Sequence, residues 1–168
     1  MIPDVRKILY ATDLSENARH SFGYAATLSD RCGATITILH VLEELPPSTI
    51  MQVKSLMGEQ WWRENMDRNR QDIVDGIRRR LEEFCEQVER KQAACFFRVA
   101  DILVTEGHPV STILKTAAEN GHDLIVMGTH GHGRFQEALM GSTARRVVRR
   151  SPLPVLTVRL PGKGDQPL

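Results

Sequence analysis

The stretch that decides the fold runs from Leu124 to Thr143 and reads LIVMGTHGHGRFQEALMGST. It begins with an unbroken apolar run up to Met127, which is typical of a strand covered on both faces of a parallel sheet. Gly128 ends that run, and a glycine-rich segment leads from there to Gly141. A strand, a glycine-rich loop and a helix start in this order predict a surface that binds an anion, which we interpret as phosphate.

The loop glycines explain how backbone alone can hold the anion. Gly131 and Gly133 lack a Cβ, so the backbone there can take positive φ and bring its N–H groups close to a ligand. A helix opening at Ser142 adds unpaired N–H groups at the positive end of the helix dipole. The alternative is a plain surface connection, because glycines mark turns more often than ligands. No GKS or GKT sequence follows, so a Walker loop is not predicted.

Apolar runs and turn residues divide the rest of the chain into alternating strands and helices. The predicted strands cover residues 7–11, 35–41, 96–104, 124–127 and 155–158. The predicted helices cover residues 15–33, 59–92, 110–118 and 142–150. Residues 43–58 are predicted to form a mobile loop or lid, because Pro46 and Pro47 interrupt regular structure.

Alternating strands and helices predict the α/β class, with one doubly wound, five-stranded parallel sheet. Such sheets bind ligands beyond the carboxyl ends of their strands, where the strand order reverses. Thr12 and Asp13 follow the first strand, Val41 ends the second, and Gly128 ends the fourth. We therefore expect these residues to face one crevice.

Composition narrows the function classes. The chain has 168 residues, enough for one domain over residues 1–160 with a polar, flexible tail over residues 161–168. A formal net charge of +1 gives no general attraction to nucleic acid or to an anionic membrane. The three cysteines form no CxxC pair and are predicted to be buried thiols. No apolar run suits a signal peptide or a membrane span, so we expect a cytoplasmic protein.

The glycine spacing is the most specific feature of the sequence: Gly128, two residues, Gly131, nine residues, Gly141, then Ser142. Together with KILYATDLSENA (7–18), ILHVLEE (38–44) and RRVVRRSPLPVLTVR (145–159), this spacing resembles the ATP-binding branch of the universal stress protein family. The resemblance implies a sheet of order 3-2-1-4-5, bound ATP with Mg²⁺ carried on its phosphates, and a homodimer. The dimer contact would be the C-terminal strand, made of Val155, Leu156, Thr157 and Val158.

The strand ends, the glycine loop and the resemblance together define the candidate nucleotide-binding residues: Thr12, Asp13, Val41, Met127, Gly128, His130, Gly131, Gly133, Arg134, Gly141, Ser142 and Thr143. The resemblance assigns Asp13 and Val41 to the adenosine, and it assigns the following residues to the phosphates: Gly128, Gly131, Gly141, Ser142 and Thr143. Two alternatives stay open: Asp13 as a turn or capping residue, and His130 with His132 and His108 as a metal site. We predict no metal bound by the protein itself.

Three functions fit these features. The first is a cytoplasmic ATP-binding regulatory module of the stress response. The second is an enzyme that uses the same crevice, either a slow ATPase or an adenylating hydrolase. No Ser, His and acid at catalytic spacing and no paired carboxylates appear, so no catalytic residue is predicted. The third is an interaction module that binds no nucleotide.

Overall fold

The computed structural model describes residues 4–91, 95–130 and 140–161, leaving out the side chains of residues 66–69. Within these ranges the chain forms five strands: β1 Lys7–Thr12, β2 Thr35–Leu42, β3 Arg98–Glu106, β4 Leu124–Gly128 and β5 Val155–Val158. It also forms five helices: α1 Glu16–Cys32, α2 Pro47–Met57, α3 Glu59–Lys91, α4 Pro109–Glu119 and α5 Ser142–Arg150.

All strand pairs in the sheet are parallel, and the strand order is β3-β2-β1-β4-β5. Ile8 of β1 lies opposite Ile36 of β2 on one side and Leu124 of β4 on the other. The chain order reverses between β1 and β4, where a ligand crevice is expected. The predicted α/β class, doubly wound sheet and strand order are confirmed.

Successive side chains of β1 enter two separate cores, as the period of a strand requires. Ile8 and Tyr10 pack beneath α1 and α3 with Phe22 and Leu81. Leu9 and Ala11 face the other side, where α4 and α5 contribute the apolar residues Val110, Ile113, Ala144 and Val147. Helices therefore cover both faces of the sheet, and only its edges and strand ends are left to bind a ligand.

Helix α1 begins and ends at residues with known capping behaviour. The Ser15 hydroxyl accepts a hydrogen bond from the N–H of Ala18 at 3.1 Å, which satisfies one of the free donors of the first turn. Gly33 ends the helix in the left-handed conformation with φ 66°, which a residue without Cβ adopts at little cost. Ser15 thus fixes where α1 begins after β1, and Gly33 fixes where it ends before β2.

Two sequence predictions are wrong. Residues 47–57 form α2 instead of a loop, because Pro47 occupies the first helical position, where its missing N–H is harmless. Cys32 is exposed at the end of α1, whereas Cys85 is buried as predicted and Cys95 is partly buried. Burial raises the pKa of the Cys85 thiol to about 11, so this thiol stays protonated at neutral pH.

The remaining predictions need only small adjustments. The long helix predicted over residues 59–92 is α3, and the third strand begins and ends two residues later than predicted. Residues 162–168 of the predicted tail lie outside the described residues. No helix in the described ranges combines the length and the apolar composition that crossing a membrane requires.

Candidate functional site

A cavity of about 640 Å³ opens at the carboxyl edge of the sheet, where β1 and β4 lie side by side. This volume falls within the range of about 300–1,000 Å³ that is usual for small-molecule sites. Its lining residues are Ala11, Thr12, Asp13, Ala18, Leu39, Val41, Glu43, Pro109, Ile113, Met127, Gly128, Thr129, His130, Met140, Gly141, Ser142, Thr143 and Ala144.

Every candidate residue within the described ranges lines this one cavity. These residues are Thr12, Asp13, Val41, Met127, Gly128, His130, Gly141, Ser142 and Thr143. The other candidates, Gly131, Gly133 and Arg134, lie outside the described residues. The structure thus brings together residues separated by up to 131 positions in the sequence, and their role in binding stays a prediction.

The start of α5 supplies hydrogen-bond donors to the cavity. Its N-cap is Gly141, which has no side chain to cap the first turn. Ser142, Thr143 and Ala144 line the cavity, and no backbone acceptor among the described residues takes their N–H groups. Free donors at the positive end of a helix dipole attract an anion.

A backbone hydrogen bond holds Gly141 close to the end of β4. Its own N–H donates to the carbonyl oxygen of Thr129 at 2.7 Å, so it does not add to the free donors. A Cβ at this position would lie 3.0 Å from the same oxygen, which is closer than side chains normally approach. Gly141 therefore lets α5 start directly against the strand end, and the free donors begin at Ser142.

Asn17 fixes the beginning of the glycine loop, and sequence analysis did not identify it. Its side-chain amide donates to the carbonyl oxygen of His130 at 3.0 Å and lies 3.5 Å from Oγ1 of Thr129. A Cβ on Gly128 would come within 2.9 Å of the same amide nitrogen. A side chain at position 128 would therefore displace the Asn17 amide, whether or not a ligand is present.

The Thr129 hydroxyl contacts side chains of both Asn17 and His130. Its Oγ1 lies 3.0 Å from Nδ1 of His130. A hydroxyl oxygen can accept from the Asn17 amide and still share a second hydrogen bond with Nδ1 of His130, in either direction. The described start of the glycine loop is therefore held by side chains from α1 and from the loop itself.

The end of β1 forms a tight turn that places Asp13 in the cavity wall. Oγ1 of Thr12 accepts from the N–H of Leu14 at 3.1 Å, and Leu14 has a positive φ of 66°. Oδ1 of Asp13 accepts from the N–H of Ser15 at 3.0 Å. Asp13 is therefore a turn residue, as one alternative predicted, and it also lines the cavity.

One wall of the cavity is apolar, and only Val41 among its residues was a predicted contact. Leu39 and Val41 of β2 face Pro109 and Ile113 of α4 across it. Such a wall suits a flat, weakly polar ring. The signal available in the sequence was the helix start at Pro109, which the strand order places next to the end of β2.

Charge in the cavity wall is mixed. Asp13 and Glu43 contribute carboxylates, while the α5 start contributes partial positive charge. Among the residues that the structure describes, no three His, Cys, Asp or Glu side chains are grouped to hold a metal ion. His132, part of the alternative metal site, lies outside that part of the chain.

Comparisons with known proteins agree with this architecture. The sequence profile described as "Universal stress protein family" matches residues 4–159. Universal stress protein MJ0577 of Methanocaldococcus jannaschii is 28% identical over 154 residues, covering 92% of this chain and 94% of the relative. A universal stress protein of Thermus aquaticus, from the 3′ region of QAH/OAS sulfhydrylase, is 32% identical over 156 residues, covering 92% and 98%.

Solved structures with the same fold were also found. Hypothetical protein MJ0577 superposes with a TM-score of 0.74 at 26% identity, covering 96% of this chain and all of that chain. A universal stress protein solved in complex with cAMP superposes with a TM-score of 0.55 at 21% identity, covering 94% and 98%, and shares the fold. With its family profile matched over nearly the whole length and its sheet order in agreement, this chain belongs to the universal stress protein family.

Proposed function

We propose that this protein binds an adenine nucleotide in the cavity at the carboxyl edge of the sheet. The proposed ligand is ATP with Mg²⁺, and the proposed role is that of a nucleotide-dependent regulatory module in the cytoplasmic stress response. The observation that carries the proposal is the uncapped start of α5, whose free N–H groups at Ser142, Thr143 and Ala144 line the cavity. Such donors suit phosphate oxygens.

The two ends of the cavity suit the two ends of a nucleotide. The phosphates would lie between the α5 start and the glycine loop, with Gly131, Gly133 and Arg134 as further predicted contacts. The adenine would lie against the apolar wall beside Val41. Asp13 would accept hydrogen bonds from ribose hydroxyls through its carboxyl oxygens. Mg²⁺ would bridge phosphate oxygens and keep water ligands.

A substitution at the first helical position tests the phosphate end directly. Ser142→Pro removes one free N–H, while proline is well tolerated at the first position of a helix. Gly141 before it has φ −66° and ψ 161°, the extended conformation that a following proline demands. We expect ATP affinity, measured by calorimetry, to fall about tenfold or more, because a lost hydrogen bond to a charged group costs roughly 1.5–3 kcal/mol.

Ser142→Ala is the matched control, because it keeps the N–H and removes only the hydroxyl. Its affinity should stay nearer to that of the unchanged protein than the affinity of Ser142→Pro. If Ser142→Pro binds ATP as tightly as Ser142→Ala does, the α5 start is not the phosphate site. Circular dichroism of both variants checks that the helices remain.

The identity of the ligand and the class of function need separate measurements. Titrations with ATP, AMP and cAMP rank the nucleotides; cAMP is included because a protein of this fold was solved with it. Incubation with ATP and Mg²⁺ then separates a regulatory module from a slow ATPase. Stoichiometric binding without repeated turnover supports the module, whereas turnover lost in Ser142→Pro supports the enzyme. Absence of binding to any of the three supports the interaction module.

We also propose that two copies associate through the outer edge of β5. In the described part of the chain this strand is at the end of the sheet and pairs with β4 alone. An uncovered strand edge presents N–H and C=O groups that a second copy can pair around a twofold axis.

A further inference from the structure

A second concavity lies on the other side of the sheet, between α1 and α3. It is a groove of about 410 Å³, and we call it the α1–α3 groove. Its lining residues are Arg19, His20, Phe22, Gly23, Tyr24, Thr27, Phe84 and Val88. None of them lines the cavity beside α5, so a ligand here is independent of the proposed nucleotide.

The groove combines flat aromatic surfaces with a cation. The ring of Phe84 packs edge to face against Phe22, with centroids 5.1 Å apart. The guanidinium carbon of Arg19 lies 5.9 Å from the centre of the Phe84 ring. Tyr24 and His20 form a second edge-to-face pair, at 5.7 Å. Aromatic walls beside an arginine suit a ligand that is both planar and negatively charged.

Two polar groups of the groove lack an ion-pair or hydrogen-bond partner among the described residues. No carboxylate of the described residues forms an ion pair with Arg19. The buried Nε2 of His20 has no hydrogen-bond partner there either. An unpaired buried polar atom costs about 1–3 kcal/mol. A carboxylate in the groove would give the Arg19 fork a bidentate partner.

Gly23 keeps the groove open. It lies in the interior of α1, where a glycine is less stable than an alanine by roughly 0.5–1 kcal/mol. A Cβ built on Gly23 meets no atom within 4 Å, so packing of the protein itself does not require a glycine there. A larger side chain would instead occupy the space of the groove.

From these features we propose that the α1–α3 groove is a second ligand site, which binds a small aromatic carboxylate. The carboxylate pairs with Arg19, and the ring of the ligand packs against the side chains of Phe84 and Tyr24. The site recognises charge and planarity together. A charged ligand without a planar ring would leave the two aromatic side chains without a contact, and a planar ligand without a charge would leave Arg19 without a partner.

Benzoate is the probe for this site, titrated into the full-length protein by calorimetry. Benzamide removes the charge of the probe, and cyclohexanecarboxylate removes its planarity. We expect saturable benzoate binding with a Kd on the order of 1 mM, and affinities for the two analogues at least about fivefold weaker. No saturation by benzoate up to about 10 mM, or equal affinity for all three probes, overturns the proposal.

Two substitutions locate the binding. Arg19→Gln removes the cation and Gly23→Leu fills the groove, and each should weaken benzoate binding by about fivefold or more. Arg31→Gln changes an exposed arginine in the last turn of the same helix and serves as the first control. Gly76→Leu is the second: it changes a helical glycine in α3 that also has free space around its Cβ, outside the groove.

Thermal unfolding checks that all four variants fold, and a gain in stability is expected for both leucine variants because leucine favours helix over glycine. Benzoate affinity that is unchanged in Arg19→Gln and Gly23→Leu, or reduced equally in the controls, contradicts the proposed site. ATP titrations of the groove variants should match those of the unchanged protein, so failure of this proposal is distinguishable from failure of the nucleotide proposal.

Discussion

The side-chain amide of Asn17 donates a hydrogen bond to the backbone carbonyl of His130 across 3.0 Å, joining residues 113 positions apart. Asn17 is in the first turn of α1 and is only 6% exposed. The same amide nitrogen is the atom that leaves no room for a Cβ on Gly128. One buried side chain therefore holds α1, the end of β4 and the start of the glycine loop together.

Asn17→Asp keeps the size of this side chain and replaces its donor with an acceptor. A carboxylate oxygen would then face the carbonyl oxygen of His130, and both would lack a donor. We expect the free energy of unfolding to fall by about 1–3 kcal/mol, as for a buried polar group left unsatisfied. Urea denaturation measures the change, and calorimetry should show weaker ATP binding as well because the loop loses its support.

Asn120→Asp is the matched control, because it makes the same chemical change at an exposed residue that follows α4. Its free energy of unfolding should change by no more than about 0.5 kcal/mol. Equal losses in the two variants would show that the Asn17 hydrogen bond contributes nothing beyond the change of charge.

The aromatic cluster around Phe22 gives a second prediction. Phe22 is fully buried and packs edge to face against Tyr10, Phe84 and Phe97. Phe22→Ala should lower the free energy of unfolding by about 3–5 kcal/mol, since apolar contacts are lost and a cavity remains. Chemical denaturation measures this loss.

Phe96→Ala provides the comparison, because the Phe96 ring is 79% exposed. We expect a change within about 0.5 kcal/mol. A loss below about 1 kcal/mol in Phe22→Ala would mean that the core relaxes around the missing ring, against the expectation for a rigidly packed cluster.

Stability should also depend on pH through His122, which is buried beside the start of β4. Burial is the main cause that lowers the pKa of His122 below its ordinary value. The unfolded chain, in which histidine titrates near about 6.5, therefore binds this proton more readily than the folded protein does. The stability that comes from the neutral imidazole is complete above that pH and is lost as the pH falls towards the folded-state pKa.

Urea denaturation at pH 7.5 and pH 5.5 tests this prediction. The unchanged protein should lose more stability between the two pH values than His122→Gln does. Hydrogen bonds from the N–H groups of Arg6 and Lys7 lower the pKa of the neighbouring Asp123, so that carboxyl titrates below this window. His108→Gln, at an exposed histidine, should keep the pH dependence of the unchanged protein. Equal pH dependence in all three proteins would rule out the role of His122.

The sequence predicts the fold well because burial leaves a periodic signal. Strands covered on both faces appear as apolar runs, such as Ile8 to Ala11, and helices between them appear as stripes. The α2 helix left no such signal, because it buries none of its residues and starts at Pro46 and Pro47, which are equally compatible with a loop.

The candidate site was predictable only in part, because some of its contacts depend on how the helices pack. Residues at strand ends converge whenever the sheet is parallel, so Thr12, Asp13 and Val41 could be placed in advance. Asn17 could not, because its hydrogen bond to His130 depends on how closely α1 approaches the end of β4. Nor does a sequence reveal that the N–H of Gly141 is already occupied by the carbonyl of Thr129.

The proposed dimer leads to a prediction about a single amide on the sheet edge. The carbonyl of Pro154 accepts from β4, and that of Val158 accepts from Thr129 directly after β4. The backbone groups of Val155 and Thr157, which alternate with them, therefore point away from the sheet. Thr157→Pro removes one outward N–H and leaves the bonds to β4 intact, as proline on an edge strand can.

We expect sedimentation to show a dimer for the unchanged protein and for Thr157→Val, which retains the amide. Thr157→Pro should shift the equilibrium towards monomer by about tenfold or more, because a dimer around a twofold axis loses the same hydrogen bond twice. A monomeric unchanged protein, or a proline variant that dimerises as tightly as the valine variant, would exclude pairing through this edge.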